Sequence, residues 1–149
     1  MDPDARREAV ETIEQAIGRF IKTIRTNLHE SAAAFAPDLQ PSAYAVMNVV
    51  AVKHPVAPAV IIAVTGMDKS SVSRQLRILK DSGYVTSEPD SEDRRADLYS
   101  PTPEAGARFE AIRAANRVRF GEVFTGWDED EVITFATLLD KFAGPAKER

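Results

Sequence analysis

The feature that most constrains this chain is an uninterrupted apolar stripe at its N-terminal end. Between Ala5 and Ala36 the residues Val10, Ile13, Ile17, Phe20, Ile21, Ile24, Leu28 and Phe35 recur at three- and four-residue steps, with no proline to break them. Such spacing places them on one face of a long amphipathic helix, which Pro37 ends. At 1.5 Å per residue this helix is roughly 45 Å long, more than one small core can cover. Part of the stripe is therefore expected to pack on a second subunit.

The rest of the chain sets further bounds. At 149 residues one domain is the default. The longest apolar stretch, Ala57 to Val64, is too short to cross a bilayer, so no membrane partner is expected. The N-terminus, with Asp2, Asp4, Arg6, Arg7 and Glu8, does not resemble a signal peptide, and a cytoplasmic protein is the expectation. Cysteine is absent, which removes disulfides, thiolate metal sites and cysteine nucleophiles. The two histidines, His29 and His54, show no metal-binding spacing, and neither metal nor cofactor is called for. His29 reads as a solvated helix residue rather than a ligand for a small molecule.

Beyond Pro37 the elements are short. Pro41 and Ser42 open a second helix carrying Val46, Met47, Val49 and Val50, and Pro58 opens a third that stops at Gly66. Asp68 is a good N-cap for a fourth helix reaching about Ser82, with Gly83 supplying the left-handed turn. Tyr84 to Thr86 and Leu98 to Tyr99 suit the two strands of a hairpin, whose turn runs from Pro89 to Asp93. Pro103 then starts a helix through Phe109, Ile112, Phe120 and Val123. A last helix begins near Asp128, with Val132, Phe135, Leu139 and Phe142 on one face. Trp127 reads as a packing anchor at that end. The fold class expected is mainly α with a small β-hairpin wing: a helix-turn-helix lobe over residues 37–100, flanked by dimerisation helices at 1–36 and 101–149.

The fourth helix carries the chemistry. Val72, Leu76 and Leu79 define a buried stripe, which leaves Ser70, Arg74 and Arg77 pointing outward, with Ser71 and Ser73 beside them. Arginine pairs bidentately with guanine in the major groove, and serine contacts base edges or phosphate. Lys69, in the first turn, is placed for phosphate. The hairpin tip adds Asp93, Arg94 and Arg95, two guanidinium groups able to reach an adjacent minor groove and a carboxylate able to hold one of them. Charge alone lends this little weight: the chain carries a net −4, and the segment Lys69 to Arg95 only +1.

These residues resemble the MarR (multiple antibiotic resistance regulator) family of transcription factors, through Asp68-Lys69-Ser70-Ser71-Val72-Ser73-Arg74, Leu79, Gly83-Tyr84-Val85 and Asp93-Arg94-Arg95-Ala96. The resemblance implies a homodimer with interlocked first and last helices. It places the fourth helix in the major groove and the wing in the minor groove of an inverted-repeat operator in double-stranded DNA. By matching position it makes Ser70, Ser71, Arg74 and Arg77 groove contacts, Arg94 the wing-tip contact and the Asp93/Arg95 pair a brace of the wing. Ser42 is expected to meet phosphate at its helix N-terminus. It further implies repression relieved by a small aromatic effector, for which the sequence singles out no residue. Departures from the family pattern are Thr86-Ser87, where members often carry an arginine, and a start to the next helix, Thr102 to Gly106, one residue longer than usual. A third is the apolar run Val60 to Val64 in the short helix, which is expected to be covered by neighbouring helices or by the second subunit.

An enzyme is disfavoured: there is no G-x-S-x-G, and Gly66-Met67-Asp68-Lys69-Ser70 lacks the glycines of a phosphate-binding loop. The competing reading is a winged-helix adaptor that binds protein without sequence-specific DNA binding. The exposed arginines Arg74, Arg77 and Arg94 argue against it.

Overall fold

A computed structural model describes residues 2–93 and 96–144. Helix α1 spans Pro3–Phe35, followed by α2 (Pro41–Lys53), α3 (Pro58–Thr65) and α4 (Lys69–Asp81). Strands β1 (Val85–Pro89) and β2 (Asp97–Pro101) form an antiparallel hairpin, and α5 (Pro103–Glu122) and α6 (Glu129–Ala143) complete the chain. Mainly helical architecture with a hairpin wing is thus what the protein has.

Each boundary has a local cause. Asp2, Asp68, Thr102 and Asp128 cap their helices by accepting a backbone N–H in the first turn, and Asp128 and Glu131 complete a reciprocal capping box. Prolines open α1, α2, α3 and α5, where a missing N–H costs nothing. Helix α4 ends with Gly83 at φ 74°, while Gly83 N donates to the Lys80 carbonyl at 3.0 Å and Tyr84 N to the Leu79 carbonyl at 2.9 Å. That pair of bonds satisfies the last carbonyls and turns the chain directly into β1.

The core lies in the lobe made by α2, α3, α4 and the hairpin, with the C-terminal end of α1 and the start of α5 packed on it. Helix α2 is its centre: Ala43, Tyr44, Val46, Met47, Val49 and Val50 are all buried, against α1, α3, α4, α5 and β2. A helix surrounded on most sides needs apolar residues all round, which is why α2 shows no clean stripe.

Helix α1 has the opposite character. Only Ser31, Ala32 and Phe35, in its last turns, are buried, while Val10, Ile13, Phe20, Ile21 and Ile24 are about half exposed. Helix α6 has no buried residue at all, with Ile133, Phe135, Leu138, Leu139 and Phe142 exposed. Trp127 packs edge-on against Phe124 at 5.4 Å and Phe135 at 5.6 Å, so it anchors the turn between α5 and α6 as its position suggested.

Of the two covers expected for the apolar run of α3, the protomer supplies only part: Ile61 is fully buried, but Val60 and Val64 are 41% and 53% exposed, which leaves them to the second subunit or to a binding surface. A helix of eight residues has one face to turn to α2 and α4, and Ile61 and Ile62 occupy it.

Candidate nucleic-acid interface

The α4 stripe is built as its periodicity requires. Val72, Leu76 and Leu79 are fully or almost fully buried, each burial stabilising the lobe by about 1.5–3 kcal/mol and fixing the rotation of the helix about its axis. Lys69, Ser70, Ser73, Arg74 and Arg77 are consequently exposed, and Ser71 half-buried. Arg74 has no ion-pair or hydrogen-bond partner among the described residues. Arg77 makes only a long surface contact, Nε to the Asp81 carboxylate at 3.8 Å, with both side chains mostly in solvent. Such a pair holds a guanidinium weakly, so Arg77 is available to another partner.

At the start of the helix the geometry is tighter. The Asp68 carboxylate accepts from the Ser71 backbone N–H at 2.8 Å, from Ser71 Oγ at 2.8 Å and from Ser70 Oγ at 2.6 Å. These bonds, that from the Ser70 hydroxyl most of all, hold the Asp68 carboxyl far below the usual carboxylate range. Ser70 and Ser71 are thus joined in one cluster around an ionised carboxylate.

The wing is tied to α4 by contacts that sequence reasoning missed. Lys80 Nζ donates to Ser87 Oγ at 2.6 Å, linking α4 to β1. Val56, ahead of α3, pairs with Tyr99 through reciprocal backbone bonds of 2.9 Å, adding a third, one-residue strand to the hairpin. Thr102 Oγ1 donates to the Gly83 carbonyl at 3.1 Å while capping α5, fastening the base of the wing. Lys80 lies seven residues from Ser87, in a position where the family departure at Thr86-Ser87 was visible, but nothing in the sequence paired the two. At the turn, Asp90 N donates to the Ala96 carbonyl at 2.8 Å and Ala96 N to the Asp93 carbonyl at 2.9 Å. Arg94 and Arg95 lie outside the described residues, so the expected wing-tip contact and the Asp93/Arg95 brace fall there too.

Ser42 stands on a separate element, half-buried in the first turn of α2, a helix whose N-cap Gln40 makes no side-chain cap bond. His29 is exposed on α1.

Beyond the interface, α5 straps α1 to the lobe. Arg108 donates to the Phe35 carbonyl at 2.9 Å, Asn116 Nδ2 to Ser31 Oγ at 2.9 Å and Arg119 to Glu30 at 3.0 Å. The buried Tyr44 hydroxyl shares Ser31, and burial raises its pKa above the ordinary tyrosine value. Among the described residues no helix is long and apolar enough to cross a membrane.

Comparison with known proteins is consistent with this geometry. Residues 38–96, which include α2, α3, α4, β1 and the hairpin turn, match the model of the MarR family. A solved MarR family transcription regulator superposes with a TM-score of 0.80 at 19% identity, over 98% of each chain. YusO from Bacillus subtilis gives 0.69 at 18% identity, over 98% of this chain and 100% of that one. A mutant MarR from E. coli, solved in complex with operator DNA, gives 0.63 at 22% identity, over 87% of this chain and 94% of that one. No curated protein matches the sequence. Residues 38–96 therefore resemble the MarR family, and the chain as a whole has the winged-helix fold of the solved structures on which it superposes.

Proposed function

We propose that the chain is a transcription regulator, not an enzyme, that binds double-stranded DNA sequence-specifically as a homodimer on an inverted repeat. The observation that carries this reading is the orientation of α4: Val72, Leu76 and Leu79 are turned into the lobe, and Ser70, Arg74 and Arg77 stand outside. Two guanidinium groups at i and i+3 on a capped, rigidly seated helix suit bidentate reading of guanine, with Lys69 and Ser42 toward phosphates and Ser71 and Ser73 beside the groove. In this reading Arg94 and Arg95, which the sequence puts between Asp93 and β2, serve the flanking minor groove, with Asp93 as brace. The MarR-family match and the superposition on an operator-bound relative support the same partner.

The dimer follows from the uncovered apolar residues of α1, α5 and α6, which exceed what one protomer can bury. This reading assigns the lobe at 37–100 to DNA and the helices at 1–36 and 101–149 to dimerisation, in the cytoplasm. Repression released by a small aromatic molecule completes it, resting on the family resemblance.

A mobility shift on promoter fragments at two salt concentrations tests the reading. Binding should weaken steeply with salt and favour an inverted repeat. Arg74→Ala should lose about 1–3 kcal/mol of specific binding per contact while remaining a dimer. Unchanged affinity in that variant would transfer the surface to a protein partner. Titration of aromatic acids into the complex addresses release.

A further inference from the structure

Resting on the DNA-reading role of α4, we propose that Ser70 is a hydrogen-bond acceptor in the interface and selects, on the strand it faces, a base that offers an exocyclic amine, adenine N6 or cytosine N4, in the major groove. A serine hydroxyl has one proton and two lone pairs. At 2.6 Å from Asp68 Oδ1 that proton is already committed, because an ionised carboxylate can only accept. What Ser70 presents outward is oxygen lone pairs, on a side chain that is exposed.

Phosphate oxygens carry no hydrogen, so Ser70 gains nothing from one without first giving up a charge-assisted bond. The position an anion would favour at the start of α4 is also filled, since the Asp68 carboxylate sits on the Ser71 backbone N–H at 2.8 Å. Guanine and thymine expose acceptors to the major groove, whereas adenine and cytosine each offer an amine there. An acceptor-only Ser70 therefore discriminates adenine and cytosine from guanine and thymine. Arg74, a donor one turn along the same face, has the reverse preference and takes guanine. Helix α4 thus presents an acceptor followed by a donor about 6 Å apart, which spans about two base pairs.

The test begins with selection of duplexes by the wild-type protein from a randomised pool. The consensus is then resynthesised with single adenines replaced by purine, which lacks the N6 amine, and single cytosines by 2-pyrimidinone, which lacks the N4 amine. One position per half-site should lose up to about tenfold in wild-type affinity when its amine is removed. Ser70→Ala should show that loss on the natural consensus and no further loss with the analogue. Circular dichroism should show the variant folded, because the Asp68 bonds to Ser71 survive. A Ser70→Ala protein that weakens on all duplexes alike, with a shallower salt dependence and no coupled amine, would assign Ser70 to phosphate and overturn the proposal. So would a variant that binds the consensus as the wild type does. If the wild-type protein enriches no duplex, the DNA-reading role itself falls, and this assignment with it.

Discussion

Arg108 holds the end of α1 by two different features of a single residue. Its Nη1 donates to the Phe35 carbonyl at 2.9 Å, and its guanidinium carbon stands 5.7 Å from the centre of the Phe35 ring. Phe35 in turn packs edge-on against Tyr84 at 5.0 Å and tilted against Tyr44 at 5.8 Å, so the residue joins α1, α2, α5 and the base of the wing. The end of α1, the centre of the lobe at α2 and the base of the wing are thereby joined at one residue.

Replacing Arg108 by alanine should cost about 1–2 kcal/mol in urea denaturation, because a carbonyl at a half-buried helix end loses its donor and the ring loses its cation. Glu104, whose contact to Arg108 at 2.9 Å is on the surface, should matter far less: Glu104→Gln is expected within about 0.5 kcal/mol of wild type. Equal losses in the two variants would show that the surface pair, and not the grip on Phe35, is what counts.

Asp68 should make the start of α4 sensitive to acid. Its carboxyl is lowered from the ordinary 3.8 in the folded protein, so the stabilisation is fully present above that value and is lost as pH falls toward the folded one. The stability gap between wild type and Asp68→Ala, followed by denaturation from pH 7 to pH 3, should narrow only below about pH 4. Asp68→Asn retains a capping oxygen without a titrating proton and should show a flatter profile than the wild type across the same range.

Leu79 is fully buried and its carbonyl takes the Tyr84 N–H that closes α4. Leu79→Ala should destabilise the lobe by about 2–5 kcal/mol, read from a thermal or chemical unfolding curve. A loss below about 1 kcal/mol would mean that the stripe does not seat the helix.

Ile24 and Leu139 are about half exposed on the protomer and belong to the uncovered apolar surfaces of α1 and α6. Ile24→Asp and Leu139→Asp should shift sedimentation from dimer toward monomer while leaving the protomer's own core intact. A wild-type protein that sediments as a monomer would remove the assignment of these helices to dimerisation.

What could be read from the sequence was what is decided locally. Asp68 three residues before the N–H it caps, Val72, Leu76 and Leu79 at helical spacing, and Gly83 after the last turn are all short-range signals, and α4 follows from them within a residue. The hairpin was visible for the same reason, although Pro89 pairs with Asp97 instead of lying in the turn. The contacts that position the site join residues far apart in the chain. Val56 meets Tyr99 in a single pairing with no alternation around it, and Arg108 reaches a carbonyl 73 residues away. Neither has a periodic signature, because each is one bond rather than a face. Val60 and Val64 mark the same limit: apolar residues announce that they want cover, but not which neighbour provides it.

The long uncovered part of α1 bears on how the molecule responds to its own abundance. Everything ahead of Ser31 in that helix lacks a buried residue within the protomer. In the proposed dimer this rod is held mainly by the second copy and is ordered only as often as that copy is there, so on dilution its free end should unwind while the lobe stays folded. Scarcity would then be registered as lost helicity before it is registered as lost occupancy of a target.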